Sequence, residues 1–123
     1  MSTSTAAPAN APAYAIAYLR EVDFGAEIID YLQRIDASLA PYGGRFLVHG
    51  GHLVAAEGEW DGDIVVIRFP DRASAQAWYD SEPYRAILPL RLEHSQSIAA
   101  IVDGVPDGYQ ATDGLAAMLA QER

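Results

Sequence analysis

The side chains of this sequence that can carry chemistry are three His, eight basic residues, seven Tyr, two Trp and seventeen Asp+Glu. It has no Cys, and all eight basic residues are Arg. Without Cys there is no thiolate nucleophile, redox pair, iron–sulfur cluster or thiolate zinc site. Without Lys there is no Schiff base and no lysine-anchored pyridoxal phosphate. Neither a GxxxxGK[ST] phosphate loop nor a GxGxxG after a strand occurs. What remains is proton transfer by His, clamping of carboxylates or enolates by Arg, and orientation by Tyr, Trp and carboxylates.

Spacing narrows these candidates. In the segment 44–49, strand alternation puts Phe46 and Val48 on one face and Arg45, Leu47 and His49 on the other. Phe46 and Val48 suit a helix-covered side, so Arg45 and His49 are expected to point the opposite way. Arg68 shares a face with Ile64 and Val66 in a later strand. His49, Arg45 and Arg68 are therefore the candidate catalytic set, with His49 moving a proton and either arginine holding an oxyanion. The plainer alternative makes both arginines strand-end charges paired with nearby carboxylates.

Tyr14 and Tyr18 share a strand face. They orient substrate oxygens if that face lines a cavity, and they are core if it meets the helices. Trp60, in a turn, is a candidate cavity wall or subunit contact. Arg91, in LPLR, is a candidate substrate anchor or a structural ion-pair residue. Trp78 and Tyr79 are read as packing. His49-Gly-Gly-His52, with Glu57, offers one short metal-ligand spacing and no second pair, so both are read as turn histidines and no metal is assigned. His94 is read as favouring a helix C-terminus. No cofactor is expected.

The elements that must position these residues follow from periodicity. Residues 1–12, all Ser, Thr, Ala, Pro and Asn after the first Met, are expected to be a disordered tail. Ala13 to Leu19 alternates as a strand. Asp23 is the expected cap of a helix carrying Ile28, Leu32, Ile35 and Leu39, closed by Pro41 and Gly43-Gly44. Gly44 to His49 is a second strand, and Gly50-Gly51 is expected to turn it into a short strand from His52 to Glu57. Ile64 to Phe69 is an apolar strand after the turn at Trp60–Asp63. Asp71 opens a helix, and Ser81-Glu82-Pro83 restarts it through Tyr84, Ile87, Leu88 and Leu92 to about Glu93. Gln96 to Asp103 is the last strand. Residues 105–123 form a C-terminal extension in which Asp113 caps a short helix through Leu115, Met118 and Leu119.

A chain of 123 residues accommodates one domain. The expected fold is α+β: a ferredoxin-like antiparallel sheet with two helices on one face. Two helices cover only one side, yet Ile64 and Val66 oppose Val65, Ile67 and Phe69, and Ala99 and Ile101 oppose Ile98, Ala100 and Val102. The uncovered side needs a partner, and a second copy is the cheapest solution, so a homodimer is expected. The formal net charge of -9 argues against nucleic acid and anionic membranes as partners. No apolar run is long enough to cross a bilayer, and the N-terminus lacks the pattern of a signal peptide, which leaves the cytoplasm as the default location.

YGGRFLVHGG at 42–51, EGEWDGDIVVIRFPD at 57–71 and AWYDSEPYRAILPLR at 77–91 follow one another in the order of a known family. Over residues 13–104 the sequence resembles the small bacterial domain-of-unknown-function family numbered thirteen-thirty, within the dimeric α+β-barrel superfamily. The resemblance implies a ferredoxin-like subunit whose open sheet face packs on a partner to form a barrel. The wider superfamily includes cofactor-free monooxygenases, isomerases, cyclases and haem-binding dismutases, so it implies a cavity rather than a reaction. The family usually has Arg where this chain has His49, and an acidic residue where it has Arg68. The resulting expectation is a cofactor-free acid–base enzyme on a small carbonyl or carboxylate substrate, such as an isomerase, cyclase or dehydratase of specialised metabolism. The alternative is a dimer, associated with stress or small-molecule binding, that catalyses nothing.

Overall fold

The computed structural model describes residues 11–121. Strands β1 (Ala13–Arg20), β2 (Arg45–Val48), β3 (Gly62–Phe69) and β4 (Gln96–Asp103) form one sheet in the order β2-β3-β1-β4. Every neighbouring pair is antiparallel. Helix α1 (Ala26–Leu39) joins β1 to β2, and helices α2 (Arg72–Asp80) and α3 (Glu82–Leu92) join β3 to β4. This is the ferredoxin-like α+β arrangement, with its second helix broken at Ser81. A 3₁₀ turn at Ala111–Gly114 and helix α4 (Leu115–Gln121) follow β4.

Local chemistry explains most of the boundaries. Asp71 accepts the Ser74 amide proton at 2.8 Å and caps α2. Ser81, whose extended backbone ends α2, caps α3 by accepting from the Tyr84 amide, and Pro83 fits the first turn where no amide is needed. Gly44 is required by close approach: a Cβ there would sit 2.7 Å from both Leu39 Cδ2 and Phe69 Cε1. Tyr31, Ile35 and Leu39 of α1, Ile67 and Phe69 of β3, and Trp78, Tyr84, Ile87 and Leu88 of the second helix pair make the core.

Four details depart from the sequence expectation. Asp23 does not cap α1: Gly25 occupies that position without a side-chain bond, and the Asp23 amide instead donates to the His94 carbonyl at 2.8 Å. Residues 52–57 form no strand; Val54 is 77% exposed, so the segment has no apolar face to bury against a sheet. Asp113 is not the first cap of the C-terminal helix but the reciprocal member of a capping box, accepting from the Gln110 amide at 2.9 Å. Most of the N-terminal tail lies outside the described residues, but Ala11 is buried and the Pro12 carbonyl accepts from Gly104 at 2.7 Å, so the ordered body begins before residue 13.

Candidate functional site

The two faces of the sheet have different fates. Pairing registers Tyr14 with Arg68 and Val102, Ile16 with Val66 and Ala100, and Tyr18 with Ile64 and Ile98. These residues make the face away from the helices, where Ile98 is 74% exposed and Ile16, Val48 and Val102 are also exposed. The helix-side face carries Ala13, Ala15, Ala17, Val65, Ile67, Ala99 and Ile101, and its alanines leave headroom under the helices.

That headroom is a cavity of about 400 Å³. Its floor is Ala15, Ala17, Val65, Ile67, Ala99 and Ile101 of the sheet. Its roof is Ile28, Tyr31, Leu32 and Ile35 of α1 with Tyr84 and Arg91 of α3. Trp78 and Tyr79 of α2 also reach it, and exposed Gln76 and His49 line its mouth.

His49 reaches the cavity because β2 is irregular. Phe46 pairs with Ile67, but Val48 pairs with Val66, so one extra residue is inserted between them. Such a bulge puts the two residues that follow it on the faces opposite to those simple alternation assigns. Val48 therefore joins Arg45 on the open face, and His49 turns to the helix side, its ring stacked on Phe46 with centroids 4.5 Å apart. The expected trio is accordingly split: Arg45 and Arg68 face each other across β2 and β3 on the open side, and His49 stands at the cavity on the other. Gly50, at φ +71°, then supplies the left-handed turn that leads the chain away.

The inner end of the cavity is polar. The Tyr31 and Tyr84 hydroxyls are hydrogen-bonded at 2.7 Å. Arg91 is buried beside them and donates to Ser97 Oγ at 2.7 Å. Burial, reinforced by Tyr84, pushes the Tyr31 phenol far above its usual range, so it stays a neutral donor. Burial alone would lower the Arg91 guanidinium, but Tyr84 and Tyr31 outweigh it and the net displacement is upward, so Arg91 stays a cation. Tyr84, Ile87, Leu88 and Arg91 are the buried stripe of α3, at helical spacing. An Arg on that stripe was the available sequence signal for this end of the site. Tyr31, three residues after Ile28 on the buried face of α1, carried a similar signal, and neither tyrosine stood out from ordinary core aromatics.

The remaining candidates lie elsewhere. Tyr14 and Tyr18 are on the open face. Tyr18 donates to Asp61 at 2.7 Å, accepts from the Asp61 amide at 2.8 Å, and meets Trp60 edge-on at 5.7 Å. Trp60 thus belongs to a loop tethered over the open face. His52 is exposed in the same loop. His94 bonds the Leu90 carbonyl at 2.9 Å and lies 3.7 Å from Glu27, which ties the end of α3 to the start of α1. Among the described residues no three His, Asp or Glu side chains converge as a metal site would require, and no helix is long and apolar enough to cross a membrane.

The sheet order and the three sequence blocks at 42–91 agree with one family. Residues 12–105 match the domain of unknown function DUF1330. The chain belongs to the DUF1330 family. Among curated proteins, none is significantly similar to it in sequence. A protein of unknown function from Rhodopseudomonas palustris superposes with a TM-score of 0.59 at 14% identity, over 79% of this chain and 85% of that one. A dimeric ferredoxin-like protein of unknown function from Jannaschia sp. CCS1 gives 0.56 at 12% identity, over 74% and 97%. Another from Thermobifida fusca gives 0.52 at 17% identity, over 82% and 97%. These similarities establish the ferredoxin-like fold of this DUF1330 chain; residues 106–121, with α4, lie beyond the family match.

Proposed function

We propose that this protein binds a small organic molecule in the cavity between sheet and helices and acts on it as a cofactor-free acid–base catalyst, with His49 moving the proton. The observation that carries this reading is a 400 Å³ apolar chamber with a titratable imidazole at its mouth. That volume falls in the range of small-molecule pockets, and an imidazole can both take up and give back a proton next to a carbonyl. Arg45 and Arg68, on the far face, have no part in this chemistry within one subunit. The working form is a homodimer closed through the open sheet face, supported by the exposed Ile16, Ile98 and Val102 and by the dimeric state of two structural relatives.

Two measurements test the reading. Wild-type protein is expected to bind 1-octanol calorimetrically, and Ala17→Phe, which fills the chamber from its floor, is expected to abolish binding without lowering Tm. For catalysis, ketones and keto acids are incubated in deuterated buffer and their protons adjacent to the carbonyl followed by NMR. Wild type should accelerate exchange in at least one compound, and His49→Gln should slow it roughly 10²–10⁴-fold with the fold intact. Unimpaired exchange by His49→Gln removes His49 from the mechanism.

A further inference from the structure

Arg91 is 5% exposed, lies on the buried stripe of α3 and lines the cavity. A guanidinium has five N–H donors, and the Ser97 hydroxyl takes one of them at 2.7 Å. Among the described residues the ion pairs are Arg20–Asp61, Arg34–Asp30, Arg72–Asp103 and His94–Glu27, and no carboxylate reaches Arg91. A buried ion without a counter-ion loses its hydration with nothing to replace it, so buried charges are ordinarily paired. The neighbouring hydroxyls of Tyr31 and Tyr84 supply dipoles, not a charge. Among the described residues, this end of the cavity therefore has a buried cation and no anion to match it.

The surroundings define what anion would match this cation. One cation neutralises one negative charge, and the remaining walls are mostly aliphatic and aromatic, so a dianion would carry an uncompensated charge into an apolar chamber. The planar guanidinium fork matches a carboxylate. Arg91 is tied through Ser97 to β4, at one edge of the sheet, while His49 follows β2 at the other edge. Three strand spacings separate those edges, about 14 Å. We propose that the cavity takes an apolar monocarboxylic acid of medium length, its carboxylate on Arg91 beside the hydrogen-bonded hydroxyls of Tyr31 and Tyr84 and its body running over Ala17 and Ala99 toward His49. This assignment rests on the cavity being a ligand site, and it puts the carboxylate away from His49, so the reacting carbonyl belongs to the distal end of the acid.

Octanoate and 1-octanol, which share a chain and differ in charge, separate the two ideas when titrated calorimetrically into the full-length protein. Wild type is expected to bind octanoate about 10–100-fold more tightly than 1-octanol. Arg91→Gln should erase that preference while leaving 1-octanol binding in place. Tyr31→Phe keeps the ring and the packing, and should weaken octanoate severalfold, which covers the case of an Arg91 variant that does not fold. Equal affinities for octanoate and 1-octanol in wild type, both lost in Ala17→Phe, overturn the carboxylate assignment and leave the cavity reading standing. A preference for octanoate that survives both Arg91→Gln and Tyr31→Phe also overturns it. Binding of neither compound overturns the cavity reading itself.

Discussion

Single residues in this protein act through the neighbours that one hydrogen bond or one inserted residue gives them. Tyr18 and Asp61 are the clearest pair. The hydrogen bond to Asp61 holds the Tyr18 phenol above its ordinary value of 10.0, with a smaller contribution from desolvation. The same bond holds the Asp61 carboxyl below its ordinary 3.8. A depressed carboxyl contributes stability above its unfolded value and loses it as pH falls through the folded one. A raised phenol contributes below its unfolded value and loses it as pH rises through the folded one. The loop carrying Trp60 is therefore held most firmly between these limits, from about pH 4 to about pH 10. The indole N–H resonance of Trp60 is expected to be constant across that window and to move outside it at both ends. Tyr18→Phe should leave no alkaline limb, and the resonance of buried Trp78 should not follow the same profile.

At the scale of elements, the break between α2 and α3 depends on Ser81. Its Oγ accepts from the Tyr84 amide at 3.4 Å and donates to the Trp78 carbonyl at 2.7 Å, so one hydroxyl closes one helix and opens the next. Ser81 is buried, and water cannot replace either bond cheaply. Ser81→Ala is expected to cost about 1–2 kcal/mol, read as a lower denaturation midpoint at an unchanged m-value. Because Trp78 and Tyr84 flank this junction and both line the cavity, the same substitution should also weaken 1-octanol binding. A midpoint equal to wild type would mean that the two helices are set by their packing alone. The edge strand β2 has a comparable dependence on local geometry, since its bulge decides which face His49 joins.

At the scale of the whole molecule, an apolar sheet face stands open in the subunit. Ile98 is its most exposed member and shares β4 with Val102, and Ile16 of β1 and Val48 of β2 extend the patch across the sheet. Arg45 and Arg68 sit directly opposite each other on this face, an arrangement of like charges that is unfavourable unless anionic groups come close. The proposed burial of the patch against a second copy would remove that exposure. Ile98→Asp is expected to give monomers in sedimentation velocity at micromolar concentration, where wild type gives dimers, and to lower Tm. A monomeric wild type at that concentration would reject the dimer.

Much of the architecture was determined by the sequence alone, because it follows from period and punctuation. Alternation in 13–19, 64–69 and 96–103, helical spacing at Ile28–Leu39 and Tyr84–Leu88, the cap at Asp71 and the restart at Ser81-Glu82-Pro83 are local properties, and these elements formed where they pointed. The two-sided apolar strands likewise required an uncovered sheet face. Only the tertiary structure decided where the candidate chemistry goes. One inserted residue in β2 carried His49 to the helix side and away from Arg45, because strand alternation transmits a single insertion to the residues beyond it. A chamber beneath the helices depends on alanines from two strands lying opposite side chains of α1 and α3, a juxtaposition between segments distant in sequence. Arg91 became a buried cation beside Tyr31 for the same reason: its helical stripe was visible locally, but its lack of a carboxylate partner is a property of everything packed around it.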